Sequence, residues 1–269
     1  MSIDIIEKPS SKLAFQPPRE TGLIVRLARN AFEVEAYQRL RYSVFVDEMG
    51  ALPTPTCLAS GLDIDDFDRV ADHLLVFDPR LGEGAAGVVG GYRLIRRGAA
   101  RRVGRFYTES EFDISPLLAR KGEILELGRS CIAPSHRLRN TMQMLWSGVA
   151  AYVKAFEVGT MFGCASLPGS NPALHAETLA YLAERHLAPE DIRPVAWPEI
   201  AVPLSTGQSS DDCRRSFVKL PPLLKGYLRL GGWIGDGAVA DQAFNTLDLC
   251  LVVETERMTD RYSRHYLKF

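Results

Sequence analysis

The run Ile124-Leu-Glu-Leu-Gly-Arg-Ser-Cys-Ile132 constrains the fold of this chain more than any other stretch. It sets Glu126 and Arg129 inside an otherwise apolar segment that reads as a buried strand. Ionised side chains are seldom placed in such a strand unless they pair or serve a site. The run ends in Ala133-Pro-Ser-His-Arg-Leu-Arg-Asn140, after which Met142, Leu145, Trp146, Val149, Val153 and Phe156 recur on one helical face and read as core. A strand followed by a basic loop and a helix N-terminus offers backbone amides and cations to a phosphate. A carboxylate beside such a receptor suits acyl or phosphoryl transfer.

The rest of the chain reads as α+β. Leu23 to Ala28 is a strand, and Asn30-Ala-Phe-Glu33 has the form of a capping box opening a helix that carries Val34, Tyr37, Arg41 and Phe45 on one side. Residues 52–68 read as loop and end in the acidic group Asp63, Asp65, Asp66 and Asp68. Strands are expected at 73–77, 88–95, 161–167 and 247–253. Ser115-Pro116 reads as an N-cap with proline at the first helical position, Asn171-Pro172 as a second cap, and 221–230 as a short helix. Three parts are expected: a loose arm over 1–20, a core over 21–187, and a C-terminal elaboration over 188–269 that completes the sheet and the acyl site.

Composition narrows the class. A net charge of −1 argues against a general nucleic-acid binder, yet Arg96, Arg97, Arg101, Arg102 and Arg105 form a local basic cluster. The five cysteines are odd in number and show no C-x-x-C spacing, so free thiols in a reducing compartment are expected. No histidine is spaced to chelate with another, and no metal is expected. Residues 1–20 lack the apolar core of a signal peptide and no apolar run approaches a bilayer span, which points to the cytoplasm. Residues 217–233 mix apolar residues with Lys219, Lys225 and Arg229 and end in Trp233, a composition that also suits peripheral contact with the inner membrane face.

The element order resembles the GNAT N-acyltransferase fold. Arg41-Tyr-Ser-Val-Phe45, Asp65-Asp-Phe-Asp68, Arg93 in Gly-Tyr-Arg-Leu, and Glu126-Leu-Gly-Arg129 are similar to the branch shared by acyl-homoserine-lactone synthases and lipid-forming amino-acid N-acyltransferases. Three longer strings, at 162–169, 220–230 and 244–248, resemble the L-ornithine Nα-acyltransferases of ornithine-lipid synthesis. The resemblance implies a central mixed sheet flanked by helices. It also implies transfer of a (3-hydroxy)acyl chain from acyl carrier protein to the α-amine of ornithine, with no permanently bound cofactor. An acyl-homoserine-lactone synthase, or an enzyme acylating glutamine, glycine or lysine, stays open at this point. Arg41, Phe45, Asp65, Asp68 and Arg93 would line the substrate site. The loop 137–140 lacks the Gly-x-Gly of acetyl-CoA-dependent members, which favours a carrier-protein donor.

The chemistry assigns provisional roles. An amine attacks a thioester only as the free base, so Glu126 is expected to take its proton, made more basic by burial and moderated by Arg129. Backbone near Ser130, Cys131 and Ile132 would supply the oxyanion donor. Arg41 or Arg93 would fork onto the substrate carboxylate, and Asp65 or Asp68 would pair with the distal ammonium. Arg101, Arg102 and Arg105, with Arg137, Arg139 and Asn140, would receive the acidic carrier and its phosphopantetheine.

Overall fold

The computed structural model describes residues 22–137, 139–204 and 217–257, without the side chains of Arg139 and Asn140. The arm expected over 1–20 and Cys213 lie outside the described residues. Strand β1 (Ile24–Leu27) leads into α1 (Ala31–Tyr42). Asn30 caps α1 by accepting the Glu33 amide at 3.0 Å. Glu33 does not close the capping box on Asn30; its carboxylate turns to the Arg29 amide at 2.8 Å and to the Arg26 guanidinium. After Tyr42 the helix widens into a π-turn over Ser43–Glu48, with Met49 N donating to Val44 O. That widening turns Val44, Phe45 and Met49 towards a cavity described below.

The expected loop over 52–68 contains a short helix, α2 (Pro55–Ser60), capped by Thr54. Strands β2 (Asp72–Phe77) and β3 (Val88–Arg96) follow. Of the arginine cluster, Arg97, Arg101 and Arg102 lie on α3 (Arg97–Val103), while Arg96 precedes it and Arg105 follows it. Arg97 donates to the carbonyls of Leu118, Arg120 and Gly122, so part of the cluster ties the chain to itself. Next come β4 (Phe112–Asp113) and α4 (Ser115–Leu118), whose N-cap is Ile114, one residue before the position expected. The remaining elements are β5 (Glu123–Ile132), α5 (Arg139–Ala155), β6 (Val158–Pro168), α6 (Ala176–His186), β7 (Val195–Ala196), β8 (Ala201–Val202), α7 (Pro222–Arg229), β9 (Trp233–Ile234), β10 (Ala238–Asp241) and β11 (Thr246–Glu254). Asn171 caps a 3-10 turn over Pro172–His175 that precedes α6.

The main sheet runs β1-β2-β3-β5-β6-β11-β10-β8, with β9 also paired to β11; β4 and β7 form a small separate pair. Among the described residues every strand-to-strand pairing is antiparallel except β5 with β6, and two isolated bridges, Leu187 to Ile234 and Val195 to Asp236, are also parallel. Alternation along the strands sorts the faces. Leu125, Leu127, Met161, Leu249 and Leu251 pack with α5, α6 and α7, while Ile124, Phe162, Cys250 and Val252 pack with α3 and α4. Tyr37 and Val44 cover Leu75, Phe77 and Cys131 on that second face. This is the GNAT-like α+β architecture, a mixed sheet between two layers of helices.

One departure from regularity creates the site. The parallel β5–β6 pairing ends at Glu126 opposite Phe162. A side chain at the next residue of β6, Gly163, would collide with the Leu127 carbonyl oxygen, so only glycine lets the strands touch there. Beyond that point the strands part. No helix among the described residues is long and apolar enough to cross a membrane. Within residues 217–233, Leu220, Leu224, Tyr227 and Leu228 are buried, Val218 and Arg229 are exposed, and Lys219 pairs with Glu177 at 2.8 Å.

Candidate active site

A cavity of about 950 Å³ passes through the fork between β5 and β6. On the side of α5 and α7 its wall is apolar, built from Met142, Trp146, Leu223, Tyr227, Leu251 and Val253. On the other side it is polar and charged, with Glu126, Arg129, Arg137, Cys164, Asp241 and Asp248. The strings 162–169, 220–230 and 244–248, far apart in sequence, all reach this wall.

Glu126 is the last residue of β5 paired with β6, is fully buried, and faces the turn after α3. Its Oε1 accepts from the Thr108 amide at 2.6 Å and the Thr108 hydroxyl at 2.5 Å, and its Oε2 accepts from the Tyr107 amide at 2.9 Å. Burial pushes its pKa up, and these hydrogen bonds and the charge of Arg93 only partly offset that. The expected moderation by Arg129 is not what the structure has. Arg129 points elsewhere because it sits where the β3–β5 register shifts, with φ at +52° and its carbonyl accepting from the buried Tyr37 hydroxyl. Its guanidinium lies between the rings of Tyr107 and Phe244, 4.9 and 4.8 Å from their centroids. It also reaches Asp63 at 3.2 Å and Asp65 at 3.3 Å.

Arg41 and Arg93 require a correction. Neither can fork onto a substrate carboxylate, because both are fully buried and already committed. Arg41 holds Asp68 through two nitrogens, at 2.8 and 2.6 Å, and Asp63 at 2.8 Å; Arg93 holds Asp65 at 2.5 Å and Asp68 at 3.1 Å. Three arginines and three aspartates thus form one charge-balanced cluster. Asp65 and Asp68 are likewise spent and offer no free carboxylate to a substrate ammonium. Burial alone would raise the Asp68 carboxyl, but Arg41 and then Arg93 hold it well below the usual carboxylate range. The cluster fastens the loop 63–68 against α1, β3 and β5. Of the six, only Arg93 and Arg129 reach the cavity wall.

Phe45 lines the cavity, edge-on to Phe244 with centroids 5.9 Å apart. Ser130, Cys131 and Ile132 also line it, on the edge of β5 that faces the parted β6. Burial pushes the Cys131 thiol up to about 12 and the Cys164 thiol well above its ordinary value, so neither is poised as a nucleophile. Arg137 stands at the wall, forked onto Glu48 at 2.5 and 2.6 Å; the side chains of Arg139 and Asn140 lie outside the described residues. Arg101, Arg102 and Arg105 are exposed. Arg102 donates to the Val70 carbonyl at 2.9 Å, and Arg105 to those of Phe106 and Tyr107.

Sequence reasoning missed Glu111, Asp241 and Asp248, whose carboxylates gather within 4.8 Å of one another. Only the string 244–248 hinted at Asp248, and nothing linked it to Glu111, which lies more than a hundred residues earlier. The Thr108–Glu126 contact was missed although only 18 residues separate the two, because the turn at 108–110 carries no pattern that aims it at β5.

The chain is similar over residues 40–147 to the acetyltransferase (GNAT) domain family. It is 42% identical over 245 residues to an L-ornithine Nα-acyltransferase of Rhodobacter capsulatus, covering 91% of this chain and 94% of that one. It is 41% identical over 253 residues to an L-ornithine Nα-acyltransferase of Rhizobium meliloti, covering 92% and 85%. Among solved structures, an N-acyl amino acid synthase from uncultured soil microbes shares the fold with a TM-score of 0.50 and 12% identity, covering 90% and 93%.

Proposed function

The chain belongs to the L-ornithine Nα-acyltransferase family, and from that premise we propose that it moves a (3-hydroxy)acyl chain from acyl carrier protein to the α-amine of L-ornithine, yielding lyso-ornithine lipid. The observation that carries this reading is the cavity through the β5–β6 fork. Its volume of about 950 Å³ far exceeds what an acetyl group needs, and its apolar arm along α5 and α7 suits a long acyl tail. Its polar end suits an amino acid.

In this reading the thioester carbonyl lies where β5 and β6 part, beside Glu126. The amine nitrogen attacks the carbonyl carbon, Glu126 takes the ammonium proton through water, and the tetrahedral oxyanion is held by the open edge of β5 near Ser130 to Ile132. Collapse breaks the carbon–sulfur bond, and the pantetheine sulfur leaves as a thiol by taking back one proton. Unlike Arg41 and Arg93, Arg129 is not fully buried, and its Nη1 makes only a 3.5 Å contact to the Tyr107 hydroxyl; that nitrogen takes the acceptor's α-carboxylate, the role first assigned to Arg41 or Arg93. The donor is a transient acyl-phosphopantetheine. Its phosphodiester would draw Arg137 away from Glu48, and the exposed Arg101 and Arg102 meet the acidic carrier.

The test is reconstitution with purified protein, ornithine and either acyl-carrier or acyl-CoA, the product being read by mass spectrometry. Nα-acylornithine should form with carrier donor, and its rate should fall as salt rises because the docking charges are screened. Arg101→Glu with Arg102→Glu should weaken the carrier reaction, while Arg105 is left alone because it holds the Tyr107 carbonyl next to the base. Equal use of acyl-CoA by wild type and variant, at a rate independent of salt, would sink the carrier assignment.

A further inference from the structure

Beside Glu126 lies a group of carboxylates that the reaction above leaves unused. Glu111 follows the turn at 108–110, Asp241 ends β10 and Asp248 lies within β11, yet one oxygen from each falls within 4.8 Å of the others. Asp241 and Asp248 line the cavity. Among the described residues no lysine, arginine or histidine forms an ion pair with any of the three. Asp241 Oδ1 accepts from the amides of Ala243 and Phe244 at 2.7 and 3.0 Å, and Glu111 Oε2 accepts from the Cys164 thiol at 3.4 Å. Asp248 Oδ1, on a residue 5% exposed, has no well-formed hydrogen bond; the side chains of Ser166 and Thr246, also on the cavity wall, bear on its carboxylate but only partly offset the upward push of burial. A buried acceptor without a well-formed hydrogen bond and unneutralised like charges both cost free energy until a ligand satisfies them. Burial and then the charge of Asp248 push the Glu111 carboxyl upward.

The place of the group says what that ligand is. The Thr108 hydroxyl donates to Glu126 at 2.5 Å, the Cys164 sulfur lies 3.8 Å from that hydroxyl, and the same sulfur bonds Glu111. The base and the acidic group therefore stand at two ends of one short chain of side chains, with the Arg129 guanidinium on the same cavity wall. An acceptor whose α-amine faces Glu126 and whose carboxylate faces Arg129 would extend its side chain towards the carboxylates. Three oxygens match the three N–H donors of an ammonium. A hard divalent cation such as Ca²⁺ or Mg²⁺ would want six or more oxygens, while here Asp241 Oδ1 and Glu111 Oε2 are already spent on protein donors.

We propose that Glu111, Asp241 and Asp248 receive the side-chain ammonium of the acceptor and so select a diamino acid over an amino acid with a neutral side chain. The inference rests on the acyl-transfer reading above and supplies the ammonium site that Asp65 and Asp68 cannot. It is tested with the full chain by comparing ornithine with norvaline, the same amino acid lacking the distal amine. Asp248→Asn and, separately, Asp241→Asn are compared with wild type; the latter keeps the oxygen that caps the 243–244 turn.

Wild type should bind ornithine calorimetrically far better than norvaline. Each variant should lower kcat/KM for ornithine roughly 10- to 100-fold, the range for hydrogen bonds to a charged group, with norvaline little changed. Thermal melts identify a variant that fails to fold, and wild-type binding decides the matter without it. Equal binding of ornithine and norvaline by wild type overturns the inference. So does parallel loss for both amino acids in a folded variant, or displacement of ornithine by Mg²⁺ or Ca²⁺ alone. A wild type that distinguishes the two ligands in binding but acylates neither sinks the acyl-transfer reading instead.

Discussion

Glu126→Gln is expected to lower turnover by roughly two to four orders of magnitude, the usual range for loss of a general base, with substrate binding changed far less. Glutamine keeps the shape but cannot take a proton, and its amide nitrogen meets the amide of Tyr107 or Thr108 where an acceptor stood. Some stability should therefore go too, and a melt must accompany the rate. Thr108→Val gives an independent reading, because it deletes the hydroxyl bonded to Glu126 at 2.5 Å without touching the carboxylate. That bond favours the ionised form, so its loss raises the Glu126 pKa above its already elevated value. The acid limb of the kcat/KM profile should then move to higher pH. A folded glutamine variant with near-normal turnover, or a valine variant with an unmoved acid limb, would remove Glu126 from the mechanism.

Asp68→Asn should destabilise the protein by about 3–5 kcal/mol, because it strips a counter-charge from two guanidiniums that have no access to water. The effect should depend on pH in a defined sense. The Asp68 carboxyl is held below its unfolded value, so its contribution is complete above the unfolded pKa of about 3.9 and is lost as the pH falls towards the folded one. Denaturant midpoints of wild type and variant should thus lie far apart at neutral pH and converge in acid. A loss below about 1 kcal/mol at neutral pH would mean that the cluster contributes little to the fold, as exposed pairs do.

The strand bearing Glu126 was legible because charge inside an apolar run has few explanations, and the helix face of α5 because its period is local. The contents of the site were legible only in part. Arg41, Arg93, Asp65 and Asp68 were recognisable as belonging together, but their partners were not. Whether an arginine faces a ligand or an aspartate is decided by how the loop 63–68 folds back on α1, and no spacing encodes that. The left-handed backbone at Arg129 was hidden too, since it depends on a hydroxyl contributed by Tyr37, 92 residues earlier. The carboxylates at 111, 241 and 248 come from a turn and two late strands, so only the closed sheet brings them together.

The most direct measurement is the crystal structure of the protein with its Nα-acylornithine product. The acyl chain is expected along Met142, Trp146, Leu223 and Tyr227, the amide carbonyl at the parting of β5 and β6 next to Glu126, and the carboxylate on Arg129. A product bound outside the fork, or an acyl chain on the Glu126 side of the sheet with the amino acid against α5, would contradict the account.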